Sequence, residues 1–188
     1  MSQKLILPIN KCRVTASYKN INYRKEFGYT HYGCDFTDLN KKDKTIWASG
    51  EGTVVEAGWS NACGNVVIVI YPSCILANGK VMDLVARYYH LVKITVKKGQ
   101  KVTKDTRLGY YGSTGISSGD HLHFEIDTDC KYYNYTPQIG GNSGVLKKGI
   151  DSTLNPLDCL WVKPSSPDYQ SFHLSRYDTV ENRKPKSL

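Results

Sequence analysis

The run GDHLHFEI, residues 119–126, places two histidines two positions apart in a stretch that otherwise reads as a strand. Strand periodicity sends His121, His123 and Glu125 to one face and Leu122, Phe124 and Ile126 to the other. The apolar set marks a core face, so the histidine set lines either solvent or a groove. Alone, two such histidines read equally well as polar residues facing water. His31 and Asp35 in THYGCDF add an imidazole and a carboxylate four positions apart. With one further histidine they make three ligands and an open fourth position, the arrangement of a catalytic rather than a structural zinc. On a straight strand residues 31 and 35 would stand about 13 Å apart, whereas ligands of one zinc lie about 2.0 to 2.2 Å from it. The chain must therefore bend, and Gly33 is the residue that allows it. A helix suits the spacing but not the Gly and β-formers around it.

His90 ends the run ARYYHL. Period two puts Tyr88 and His90 on one face and Arg87, Tyr89 and Leu91 on the other. Taken alone, His90 reads as a core or edge histidine. His173 has no partner residues near it in sequence and is given no function.

The elements that must position these residues are strands. KCRVTASY, TIWAS, GTVVEAGW, GNVVIVIYP, DLVARYYHL, KITVKKGQKV, RLGYYGS and HLHFEI recur about once per ten residues between turn signals. The expectation is an all-β fold of antiparallel sheets without a convincing amphipathic helix. Asn78-Gly79 marks a hairpin. Residues 127–153 are Tyr-rich, then Gly-rich, and read as a long irregular loop or flap. Leu157, Leu160 and Trp161 close the core. The expected organisation is one domain over 1–162, with its core from about 12 to 162, and a polar tail or linker over 163–188.

The chain has 188 residues, 40% hydrophobic and 22% charged, which reads as a soluble globular protein. No apolar run reaches membrane-spanning length, and the start lacks the long apolar region of a signal peptide. The net charge of +8 attracts polyanions, but the lysines are scattered in pairs. Nucleic acid and membrane are therefore set aside as partners, while an anionic cell wall fits. Six cysteines form no Cys-x-x-Cys pair and are expected as free, partly buried thiols.

HYGCDF, GTVVEAGW, GNVVIVI, the stretch from RYYHL through GSTGISSGDHLHFEI, and NPLDCLW follow one another in an order that resembles the M23 peptidases. These are the lysostaphin-like or LytM-like zinc endopeptidases of bacterial cell walls. The resemblance covers most of the chain and implies antiparallel sheets around a narrow groove with one zinc on its floor. Carried over by position, it implies His31, Asp35 and His123 as zinc ligands and His90 and His121 as the catalytic pair. Glu125 is then either a carboxylate that orients a histidine or a partner in a salt bridge at the groove edge. Cys34 stands where the family usually has an aliphatic residue, and should face the core.

The implied activity is hydrolysis of peptide bonds in peptidoglycan, in the stem peptide or the cross-bridge. A non-catalytic M23-like binding module is the alternative, and loss of a ligand would signal it. A lipoyl or biotinyl carrier domain, resembled by VKKGQKVTKDTRLG, leaves the histidines unexplained. A structural zinc protein would unfold on metal removal. Action at the wall without an export signal fits a phage lysin or tail-associated component, or a fragment of a larger exported protein, and the initiating Met and the length favour the first. Tail or virion proteins would then be partners, and the protein would be virion-borne or released by lysis.

Overall fold

The computed structural model describes residues 1–134, 151–161 and 173–175. Among these, the strands are β1 Lys11–Ala16, β2 Cys34–Asp38, β3 Thr45–Trp47, β4 Gly52–Ser60, β5 Gly64–Ile75 and β6 Val81–Ile94. They continue as β7 Lys101–Val102, β8 Arg107–Tyr111, β9 Leu122–Asp127, β10 Thr153–Leu154 and β11 His173–Ser175. Their order is β11-β1-β2-β9-β6-β5-β4-β7, with β10 on β9, and β8 joining β3 to β6. All of these ladders are antiparallel. The expected all-β class holds, and each strand read from the sequence is present.

Alternation sorts the two faces. Leu122, Phe124 and Ile126 of β9 are fully buried with Phe36 of β2 and Tyr88 of β6. The Asn78-Gly79 turn joins β5 to β6, with Ile75 opposite Val81. Leu157, Leu160 and Trp161 are buried as expected, in and just after α2, Pro156–Cys159. The core also begins earlier than residue 12. Leu5, Leu7 and Ile9 are fully buried, and Leu5 bridges Leu160.

A short helix, α1 Ile21–Phe27, was not foreseen. The Asn20 side chain caps its start by accepting from the Tyr23 backbone N–H, and Gly28 ends it at φ 78°. It buries no residue, so no apolar stripe announces it. The two ends of the 127–153 stretch are clasped: Thr153 pairs with Asp127, and the Thr128 N–H donates to the Ser152 carbonyl. The rest of the expected loop, 135–150, lies outside the described residues. So does most of the expected tail, but its residues 173–175 pair with β1. Among the described residues, no helix is long and apolar enough to cross a membrane.

Candidate active site and metal centre

β2 and β9 lie side by side with Asp35 opposite His123. His31 approaches from the turn before β2. His31 Nε2 lies 3.0 Å from Asp35 Oδ1 and 3.0 Å from His123 Nδ1, and His123 Nδ1 lies 2.8 Å from Asp35 Oδ1. The expected bend between residues 31 and 35 is therefore real. The glycine matters there for space: a Cβ on Gly33 would stand 2.5 Å from the Phe124 carbonyl oxygen and 2.8 Å from His123 Nε2.

The outer hydrogen bonds decide which way these rings face. His31 Nδ1 lies 2.8 Å from the Ser17 carbonyl oxygen. A carbonyl only accepts, so Nδ1 carries the hydrogen and Nε2 presents its lone pair to the cluster. His123 Nε2 donates in the same way to Glu125 Oε1 at 3.0 Å, which turns Nδ1 inward. Two imidazole nitrogens and a carboxylate oxygen thus converge, each ring held by an acceptor behind it. A tetrahedral zinc spaces its ligand atoms about 3.3 Å apart, so the residues present fit a small dication with a slight spreading.

Electrostatics agree with that fit. Burial works against ionisation of Asp35, but the adjoining His123 and His31 rings hold its carboxyl well below the usual carboxylate range. Burial also opposes a charge on His123, yet Asp35 and Glu125 lift it to about 10. The pocket therefore attracts positive charge, and a bound metal would take the place of that proton.

His121 and His90 complete the floor. His121 Nε2 lies 3.7 Å from Asp35 Oδ1, and its ring centroid is 4.9 Å from that of His90. Each ring donates Nδ1–H to a backbone carbonyl at 2.8 Å, His121 to Gly119 and His90 to Thr114. Both are left with a lone pair on Nε2. Burial pushes His90 down to about 4, which leaves it neutral in ordinary buffers.

The period-two reading of ARYYHL needs correction at one residue. Tyr88 and Leu91 are in the core, as alternation allows for one of them only. Between them the ladder of β6 shifts register against β5, and His90 adopts φ 63°. This bulge turns both Tyr89 and His90 away from the core. The Tyr89 ring then stacks on His123, and sequence reasoning missed that contact. It also missed Arg87, which is fully buried beside Glu125. The only sequence signal for Arg87 was its place two residues before Tyr89.

A groove of about 1000 Å³ runs over this floor. Asn20, Tyr23, Phe27 and Tyr29 line one wall, from α1 and its flanks, and residues 116–120 line the other. Tyr23 packs on His31 with ring centroids 4.4 Å apart. Arg13, Thr37, Lys41 and Lys44 also line the groove, and Lys44 is ion-paired with Asp120.

Comparison with known proteins places this geometry. The chain is 35% identical over 136 residues to the glycyl-glycine endopeptidase ALE-1 of Staphylococcus capitis, 66% of this chain and 34% of that protein. It is 36% identical over 96 residues to the peptidoglycan DD-endopeptidase ShyA of Vibrio cholerae, 51% of this chain and 20% of that protein. The chain thus spans about a third of one curated relative and a fifth of the other. A zinc-containing peptidase from Vibrio cholerae has a similar fold, at TM-score 0.54 and 27% identity over 66% of this chain and 37% of that one. The sequence profile of Peptidase family M23 matches residues 29–135, more than half the chain, from the turn that carries His31 to the segment beyond β9. With that match and this fold, the chain belongs to peptidase family M23.

Proposed function

We propose that the chain is a zinc-dependent endopeptidase that cleaves peptide bonds in bacterial peptidoglycan. The observation that carries this reading is the convergence of His31, Asp35 and His123 ligand atoms beside an open groove that Asp35, His90 and His121 line. ALE-1 and ShyA, by their names, are endopeptidases, and ShyA acts on peptidoglycan. The charge of +8 suits an anionic wall.

In this reading His31, Asp35 and His123 hold one zinc per chain. Zinc, when bound, polarises a carbonyl and makes water acidic enough to lose a proton near neutral pH. The chain's own part is to orient the peptide and move protons. His90 Nε2 and His121 Nε2 carry lone pairs, each ring fixed by a backbone carbonyl. One of them accepts the proton of the attacking water and delivers it to the leaving amine. The other, once protonated, donates to the oxygen on which charge develops. Glu125 keeps the Nε2–H of His123 directed outward and so keeps Nδ1 facing the metal seat.

The test is digestion of purified peptidoglycans of several cross-link types, with mass spectrometry of the fragments. Wild type is expected to release new amine termini, and His121→Ala and chelated samples are not. Termini that persist in both controls would overturn the reading. A phage lysin or tail-associated component is the finer proposal for its setting, and a virion proteome that lacks the chain would remove it.

A further inference from the structure

We propose that Arg87 is a positioning residue for metal binding: its guanidinium fixes Glu125, and through Glu125 the His123 ring, in the ligating orientation. The proposal rests on the reading of His123 as a metal ligand.

β6 and β9 set this up by register. Arg87 lies opposite Glu125 and Tyr89 opposite His123, all on one face. His123, Glu125 and Asp127 form a row at every second position of β9. Arg87 is fully buried and uses each edge of its fork. Nη1 donates to Glu125 Oε2 at 3.1 Å, Nη2 to Asp127 Oδ2 at 2.7 Å, and Nε to the Tyr133 carbonyl oxygen at 2.6 Å.

This divides the two oxygens of Glu125. Oε2 accepts from Arg87 and, at 3.5 Å, from the Tyr89 hydroxyl, and Oε1 receives the Nε2–H of His123. A carboxylate gripped at one oxygen has lost its rotation, so the other oxygen stays aimed at the imidazole. Glu125 and Asp127 are buried side by side on one strand face, and the one guanidinium holds both in place.

A role in fold stability alone explains this cluster poorly. Buried ion pairs are often no more stabilising than apolar residues of similar volume. What they supply is direction, and here the direction ends on His123. The bond to Tyr133 adds a link from the start of the Tyr-rich segment to the same guanidinium.

The experiment measures zinc affinity of the purified full chain by chelator competition, and the visible absorption of the cobalt-substituted protein. Wild type is expected to bind one zinc. Arg87→Lys and Glu125→Gln are each expected to weaken zinc binding by about 10- to 100-fold and to shift the cobalt bands, as loss of an outer hydrogen bond does. The double variant should be little weaker than the worse single one, because both act along one chain of contacts. A folded Arg87→Lys protein whose affinity stays within about twofold of wild type, with unchanged cobalt bands, overturns the proposal. If Arg87→Lys does not fold, Asp127→Asn is the second test. It loosens the guanidinium while leaving the core filled, so a fall in affinity supports the proposal and an unchanged affinity overturns it. A folded wild type that binds no zinc removes the ligand reading itself, and this proposal with it.

Discussion

Tyr89 lies flat against His123, with ring centroids 5.5 Å apart and planes within 4°. The two residues face each other across β6 and β9, so the stack is a cross-strand pair that also covers a metal-ligand candidate. Tyr89→Phe keeps the stacked ring but removes the hydroxyl that donates to Glu125 Oε2 at 3.5 Å, and is expected to weaken zinc binding less than Arg87→Lys does. Tyr89→Ala empties a buried site and should cost about 3 kcal/mol. Denaturant unfolding of the two variants checks this, and equal stability would remove the packing role.

The ligand candidates and the proton-handling candidates should separate cleanly. His31→Ala is expected to lose both stoichiometric zinc and hydrolysis. His90→Ala and His121→Ala should keep zinc while turnover falls about 100- to 10,000-fold. Metal analysis alongside a peptide-release assay distinguishes the two classes. Loss of zinc in His90→Ala would move that residue into the ligand set.

Gly33 is held by crowding. Gly33→Ala pushes a methyl group against the Phe124 carbonyl and the His123 ring. The expected cost is about 1 to 3 kcal/mol, as for other overpacked sites, with weaker zinc binding because His123 must give way. Thermal unfolding and zinc titration of this one variant test both effects.

Chelation should silence the protein without unfolding it. Asp35 Oδ1 lies within 3.0 Å of a ring nitrogen of each neighbouring histidine, and the apolar core lies on the opposite face of β9. Far-ultraviolet circular dichroism is expected to be unchanged after metal removal, and activity to return when zinc is restored. Unfolding on chelation would favour a structural zinc instead.

The thiols should be inert in the native state. None of the six cysteines is in a disulfide, and all but Cys130 are buried. Burial pushes Cys63 and Cys130 up to about 11 and Cys74 to about 12, and raises Cys34 and Cys159 further. Iodoacetamide at pH 8 is expected to react slowly, at Cys130 first, and with all six after denaturation. Mass spectrometry of the labelled peptides gives the order.

Much of the site was legible because it obeys period two. HLHFEI declares its core face and its polar face, and the structure keeps both. The order of His31, Asp35 and the His-x-His pair carried the family. What stayed hidden was non-local or irregular. The bulge at His90 has no glycine to announce it, so alternation put that residue on the wrong face. Arg87 meets Glu125 only through the register of two strands 38 positions apart in sequence. Glu125 itself was left between orienting a histidine and forming a salt bridge at the groove edge, and its two oxygens touch different partners, Oε1 the His123 ring and Oε2 the buried Arg87. The helix α1 hid for the opposite reason: its signals are local. Asn20 and Gly28 bracket it as caps, but with no buried face it shows no apolar periodicity.

Position 90 also sets a limit on how this domain can be improved. A left-handed backbone there favours glycine or asparagine, and a search for thermostable variants will be drawn to that substitution. The reward would be relief of about 1 kcal/mol or more of backbone strain. The same change removes an imidazole that lines the groove, so selection for heat resistance alone would yield a sturdier protein without one of the two proton carriers proposed for it.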